Sequence, residues 1–360
     1  MVKWKILGAS LAVASSLASA GAAGAAEFYE GKTITFIVGY SPGGSTDTTW
    51  RTVAPFIAKH IPGNPTVVVK NMAGGGGTKA TNFVFEKARP DGLTLLSSPW
   101  NPLGALIGAP GLRADYTKFE FIGGIPETIT CYVRTGVMAG GLKDRTDIVK
   151  LKSIKLGGLT PDSRLDILGR LSLGLLGLDV KYVPGYRGGA KRKAAVLSGE
   201  IDVSTTGITE YKTAIEPGPM KDGQVMGLYY HPSIKADGTV IKDPVFTELP
   251  DFVSFYKKAK GTAPSGKMWE LLKFVYSFGG FTQALNAPPG TPKAAVDALR
   301  KGFEGLAKDP DYEALVKKQL GTTVPLVQAA EGEDIIKTAL GGPDPKLVAE
   351  LKAFAQAGAK

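Results

Sequence analysis

The sequence predicts an α/β protein of two domains, and three observations lead there. The chain has 360 residues, and domains usually run to about 100–200 residues. Short β-rich runs end in Gly/Pro loops and pass into stretches with apolar residues at helical spacing. The same strand-loop-helix unit then recurs in the middle of the chain.

Taken in order, the N-terminus comes first. Lys3 and Lys5 precede an apolar run, 6–17, and small residues follow as Ala18-Ser19-Ala20 and Ala23-Gly24-Ala25. This pattern predicts a secretory signal peptide over 1–25. The run gives way to Ser and Gly before reaching the ~20 apolar residues that a spanning helix needs. Cleavage near Ala26 leaves about 335 residues, enough for two cores. Cys131 is the single cysteine, so no internal disulfide is available; it is expected to be a buried small hydrophobe. The formal net charge is +10. Its basic residues are scattered and carry no aromatic ladder, which argues against nucleic acid and leaves a general field attractive to anions, or solubility alone.

Residues 33–39, TITFIVG, predict a strand, and 47–60 predict a helix with Trp50, Val53, Ala54, Phe56 and Ile57 on its apolar face. Between them lies Tyr40-Ser41-Pro42-Gly43-Gly44-Ser45-Thr46-Asp47. A second strand is expected over 66–69, a Gly-rich turn over 74–77 and a helix over 80–87. In the middle, 153–157, 180–183 and 201–205 read as strands, and 164–175 and 190–198 as helices. Thr160 is expected as N-cap of the first of these helices, with Pro161 at its first position. Strand 224–230 follows, and 217–267 is rich in Lys, Pro and Gly without a clear period. Thr291-Pro292 opens a helix with Ala294, Val296, Leu299, Phe303 and Leu306 on one face; 312–320 and 345–357 add two more. Loops at the carboxyl ends of two such sheets would line a cleft with helix N-termini, whose free N–H groups suit an anion.

Two chemical motifs overlap the first loop. Gly39-Tyr40-Ser41-Pro42-Gly43 fits the G-x-S-x-G elbow of serine hydrolases, with Ser41 as nucleophile. The elbow's oxyanion hole needs the N–H of the following residue, and Pro42 has none. A phosphate loop is the other fit, but Ser45 stands where the lysine is required. What remains is backbone geometry: Gly43 and Gly44 admit a close ligand, Ser45 and Thr46 offer hydroxyls and are expected to cap the helix, and Asp47 sits in its first turn. A capped turn without a ligand has the same pattern. His60 and His231 lack partners at metal-ligand spacing, and no carboxylate pair stands out, so neither metal, cofactor nor catalytic group is expected.

The chain resembles the substrate-binding proteins of tripartite tricarboxylate transporters, the Bug receptors of bacterial periplasms. Residues 40–47 match that family's aromatic-x-Pro-Gly-Gly-x-x-Asp loop. Asn71 with Gly74, Gly76 and Gly77 is similar to its Asn then Gly-Ala-Gly-Gly segment, with Gly75 in place of Ala. Pro90-Asp91-Gly92 and Thr94-Leu95-Leu96 follow in order. Residues 157–167 resemble its second Gly-rich loop, with Asp166 where a histidine is common, and Val183-Pro184-Gly185-Tyr186-Arg187-Gly188 resembles Val-Pro-Tyr-x-Gly with one insertion. Leu197, Gly199 and Asp202, then Pro289-Gly290-Thr291-Pro292, complete the series.

The resemblance implies a Venus flytrap of the type II-like periplasmic class, each domain a sheet flanked by helices with a ligand cleft between. Domain 1 is expected from 27–129 plus 232–360, and domain 2 from 130–231. A monomeric receptor would capture a small organic carboxylate, of the dicarboxylate, aromatic acid or acidic amino acid class, and deliver it to a membrane permease. The implied near wall is Tyr40, Ser41, Gly43, Gly44, Ser45, Thr46 and Asp47, with Ser98 and Trp100. The far wall is Thr160, Asp162 and Ser163, with Tyr186, Thr205 and Thr206. Arg164, where the family often has Gly or Ser, could pair with a second carboxylate or face solvent. An oxyanion receptor of an ABC transporter and an exported hydrolase using Ser41 are the alternatives.

Overall fold

The structure, a computed structural model, describes residues 28–234 and 239–358. The signal peptide predicted over 1–25 lies outside these residues.

Strand β1 (Thr33–Val38) sends Ile34, Phe36 and Val38 into one core and Ile37 into another. Helix α1 (Ser45–His60) meets the first set with Trp50, Val53, Ala54 and Ile57, and α2 (Thr78–Glu86) meets Ile37 with Ala80 and Val84. Both faces of the strand are covered, which is why period-two alternation gives way to a nearly continuous apolar run. Strands β2 (Thr66–Asn71) and β3 (Thr94–Pro99) flank β1 in parallel. Helix α3 (Pro102–Ile107) follows β3, and β4 (Glu120–Ile125) ends this part of the chain.

The second sheet contains β5 (Ile129–Arg134), β6 (Ser153–Gly157), β7 (Asp179–Val183), β8 (Val203–Gly207) and β9 (Val225–His231), in the order β7-β6-β8-β5-β9. Its β6, β7 and β8 run parallel, while β5 is antiparallel to β8 and β9. Helix α4 (Arg164–Leu175) links β6 to β7, and α5 (Gly189–Ser198) links β7 to β8. Cys131 of β5 is buried and free, and burial pushes its thiol pKa up to about 12.

Beyond a two-stranded hairpin, β10 (Ser233–Ile234) with β11 (Val240–Ile241), the chain divides between the two cores. Helices α6 (Phe252–Lys260) and α7 (Lys267–Tyr276) bring Phe252, Phe255, Leu271, Leu272 and Val275 to the second sheet. The late strand β12 (Gln283–Ala287) then enters the first sheet between β3 and β4, antiparallel to both, giving the order β2-β1-β3-β12-β4. Helix α8 (Lys293–Leu306) packs Val296, Leu299, Phe303 and Leu306 onto that sheet's core. Helices α9 (Pro310–Leu320), α10 (Ala329–Leu340) and α11 (Pro345–Ala357) follow, and Leu351 and Ala355 of α11 join the second core.

Two α/β units are thus present, each a mixed five-stranded sheet flanked by helices, as the sequence predicts. Local details differ. Helix α4 is capped by Ser163, whose side chain accepts from Asp166 N, and not by Thr160. The Asp166 carboxylate takes the N–H groups of Leu159 and Thr160 at 2.6 and 2.9 Å, so the loop makes one more turn before the helix starts. In α8, Ala295 and Ala298 are buried instead of Ala294, and Thr291 bonds Pro288 O instead of capping.

No helix among the described residues is long and apolar enough to cross a membrane.

Candidate functional site

Five loops at the carboxyl ends of strands meet between the two sheets. They follow β1 and β3 on one side and β6, β7 and β8 on the other, the position where open α/β sheets bind ligands. The cavity there is about 70 Å3. The two sides touch: a Cβ on Gly44 would come within 3.2 Å of Gly189 N, a contact the opposite loop would have to yield to accommodate.

The first loop is held by groups that do not face the cavity. The Asp47 carboxylate accepts from Gly43 N at 2.9 Å, Asn71 Nδ2 at 2.8 Å and Arg51 Nε at 3.0 Å. Burial alone would raise its pKa, but these hydrogen bonds more than offset that and hold it below the usual carboxylate value. Asn71 Nδ2 also donates to Tyr40 O, and the Tyr40 hydroxyl donates to Gly76 O at 2.8 Å. Behind Tyr40, Gly77 has φ +98 and a Cβ there would press on the Tyr40 ring at 3.3 Å. The Asn-then-glycines segment therefore braces the loop. On the opposite side Asp166 does for 158–163 what Asp47 does for 40–46.

With these braces taking the loop's own needs, two helix N-termini stay uncapped. The N-cap residues of α1 and α5, Gly44 and Gly188, make no side-chain cap, and Gly44, Ser45, Gly188 and Gly189 all line the cavity. Ser45 and Thr46 do not cap α1, contrary to the expectation. Their hydroxyls turn sideways: Ser45 Oγ donates to Glu127 Oε1, and Thr46 Oγ1 accepts from Gln283 Nε2 at 3.2 Å. Neither helix start has a side-chain cap among the described residues, which leaves N–H groups facing the cavity, although the buried Glu210 carboxylate lies close beside Gly189.

Two guanidinium groups join them. Arg192, 6 % exposed in the first turn of α5, makes no side-chain hydrogen bond or ion pair, and its Nε is buried without a partner. Arg164, at the start of α4, places Nη1 3.2 Å from Thr282 Oγ1 while its Nε is likewise buried and unpartnered. Burial lowers the Arg164 pKa to about 10, which keeps it charged at neutral pH. A buried, unpaired cation is expensive without an anionic partner.

The remaining sequence-derived candidates are distributed as follows. Tyr40, Gly44, Ser45, Thr46, Trp100, Ser163 and Arg164 line this cavity. Ser41 and Thr160 line a neighbouring cavity with the glycines 74–77 and Arg187. Gly43 and Asp47 belong to the loop brace. Ser98 is buried behind Gly39, Thr205 Oγ1 bonds Leu165 O, and Thr206 Oγ1 bonds Glu210. Tyr186 donates to Glu200, and Asp162 does not line the cavity. The sequence reading omitted Asn101, Glu127, Arg192, Thr282 and Gln283, which all line it. Arg192 sits in the run Lys191-Arg192-Lys193, which reads as a solvated face, and Gln283 arrives from the distant β12.

Neither histidine reaches Ser41. His60 Nε2 lies 2.8 Å from Asp309, and His231 Nδ1 lies 2.9 Å from the Tyr276 hydroxyl. Among the described residues, no group of three or more His, Cys, Asp or Glu could hold a metal ion. Burial, and secondly the Arg164 charge, push the His231 imidazole down to about 3. The unfolded chain takes up this proton near pH 6.5 and the folded one does not, so stability is complete above about 6.5 and falls as pH drops toward 3. His231→Gln should reduce the acid-side slope of unfolding free energy by up to about 1.4 kcal/mol per pH unit, measured by urea melts from pH 7 to 4.

No protein-family model matches the chain. A UPF0065 protein of the TAR-I ttuE-ttuC' intergenic region of Agrobacterium vitis is 28 % identical over 198 residues, 53 % of this chain. The match spans just over half, 56 %, of that relative's length. A UPF0065 protein of the tcbD-tcbE intergenic region of Pseudomonas sp. strain P51 is 24 % identical over 331 residues, 88 % of this chain and 81 % of the relative. Among solved structures, the periplasmic binding protein BugD superposes with a TM-score of 0.67 at 21 % identity, covering 91 % of this chain and 98 % of BugD. MatC of Rhodopseudomonas palustris with bound malate gives 0.65 at 20 %, covering 90 % and 99 %. An R. palustris protein solved with adipate gives 0.67 at 16 %, covering 89 % and 97 %. The chain has the fold of the Bug-type solute-binding proteins of tripartite tricarboxylate transporters, the family its motifs resemble.

Proposed function

We propose that the protein is a periplasmic receptor that closes on a small organic carboxylate in this cavity and delivers it to the permease of a tripartite tricarboxylate transporter. The observation that carries the reading is the set of donors without acceptors: the uncapped starts of α1 and α5 and the unpartnered Nε atoms of Arg164 and Arg192. An acid group satisfies them together, since a carboxylate accepts from both backbone N–H and guanidinium. Malate in MatC and adipate in the second R. palustris protein support the ligand class. The predicted signal peptide supports export. The two sheets would serve as the two lobes, with the 126–128 connection between β4 and β5 as one crossing.

A thermal-shift panel of mono-, di- and tricarboxylates, aromatic acids, acidic amino acids, phosphate and sulfate tests this. A ligand at about 100 times its Kd adds roughly 2.7 kcal/mol of stability, so at least one carboxylate should raise Tm clearly while the inorganic anions do not. A rise with phosphate or sulfate alone would replace this reading by an oxyanion receptor.

A further inference from the structure

The cavity also holds unsatisfied chemistry of the opposite kind. Glu127, in the connection between β4 and β5, is 9 % exposed, and burial raises its pKa. Its Oε1 accepts from Ser45 and its Oε2 from Gln283 Nε2 at 2.6 Å. The Gln283 amide turns its nitrogen to this side, with Nε2 donating to Glu127 and to Thr46 Oγ1. The other end of the amide, Oε1, is then an acceptor, and it is buried without a partner on a residue that is 1 % exposed. Glu127 accepts no hydrogen bond from either arginine among the described residues, although the Arg164 charge reaches it and opposes part of the rise that burial imposes. One enclosed space thus offers the unpartnered Nε donors of two guanidinium groups together with a carboxylate and an unpartnered amide oxygen.

A ligand that carries carboxylates alone answers the arginines but sets more acceptors beside Glu127 and Gln283. An ammonium group answers both of these acceptors. It supplies three donors and a charge that offsets the buried carboxylate. We propose that the ligand is an amino-bearing organic acid, its acid group on Arg164 and Arg192 and its ammonium held by Glu127 and Gln283 Oε1. This rests on the carboxylate reading of the cavity and narrows it. Glu127 is then the specificity-determining residue that rejects the plain acid of the same carbon skeleton.

Isothermal titration of the mature chain with matched pairs tests the proposal: aspartate against succinate, glutamate against glutarate, and 2-aminoadipate against adipate. In each pair that binds, the amino member should bind at least ~10-fold tighter, the size of one charge-assisted hydrogen bond. Glu127→Gln, nearly isosteric, should reduce that ratio to about two-fold or less while the plain acid binds no more weakly. The wild-type comparison stands by itself if the variant fails to fold. Equal or tighter binding of the plain acids overturns the amino-acid assignment and leaves the carboxylate receptor intact. A preference for the amino member that survives Glu127→Gln overturns the role of Glu127. Failure of every acid, amino or plain, would remove the carboxylate reading and this inference with it.

Discussion

Replacing Arg192 with methionine is expected to weaken carboxylate binding by about 30-fold or more without lowering the melting temperature of the unliganded protein. Truncating one partner of a buried charge pair typically costs about 2–5 kcal/mol, and the pair in question forms only with ligand. Arg192 is buried and has no hydrogen-bonded or ion-paired partner of its own. Methionine keeps the apolar stem and removes a cation whose burial is unfavourable. An arginine with a purely structural role would behave in the opposite way, with a clear loss of stability and unchanged affinity. Titration calorimetry and thermal melts on the same preparation separate the two.

Asp47→Ala is expected to lower stability by about 2–4 kcal/mol, since hydrogen bonds to a charged group are worth roughly 1.5–3 kcal/mol and three donors lose their acceptor. Those donors are Gly43 N, Asn71 Nδ2 and Arg51 Nε. The exposed side of Arg51, 48 % accessible, keeps its share of that loss small. The folded pKa of Asp47 is depressed, so its contribution is present above the unfolded value near 3.9 and disappears as pH falls through the lower folded value. The stability gap between wild type and variant, followed by urea denaturation, should therefore close below about pH 4. Binding should weaken as well, because the N–H groups of 43–46 lose their fixed direction. A variant as stable as wild type at pH 7 would show that the loop needs no brace.

The parts of the fold that were legible in the sequence are those whose signals are local. Residues 33–60 announce strand, loop and helix because a short β-rich apolar run passes, across a Pro-Gly-Gly turn, into apolar residues at a 3.6 period. The same holds for α4 and α5. Helix α6 was hidden because 217–267 mixes Lys, Pro and Gly with aromatic residues that reveal their side only once packed on the second sheet. Strand β12 inserts between β3 and β4 of the first sheet from more than 180 residues beyond β3, a pairing no local period encodes.

The site divides along the same line. Backbone features, such as Gly44 at the start of α1 and the loop glycines, follow from the motif. The side chains that give the cavity its charge do not. Arg192 looks like any basic helical residue until the turn after Gly188-Gly189 points it inward, and Glu127 lies in a connection between sheets with no motif around it. Asp47 and Asp166 carry motif positions yet act through backbone hydrogen bonds, which only the structure distinguishes from ligand contacts.

A crystal structure of the mature chain with the tightest-binding carboxylate is the most direct test of whether the cavity between the two sheets is the ligand site. A carboxylate is expected in this cavity with oxygens within about 3.2 Å of backbone N–H groups at the start of α1 or α5 and of the Arg192 guanidinium. A ligand bound elsewhere, or bound here with the Arg192 guanidinium and both helix N-termini untouched, would contradict it.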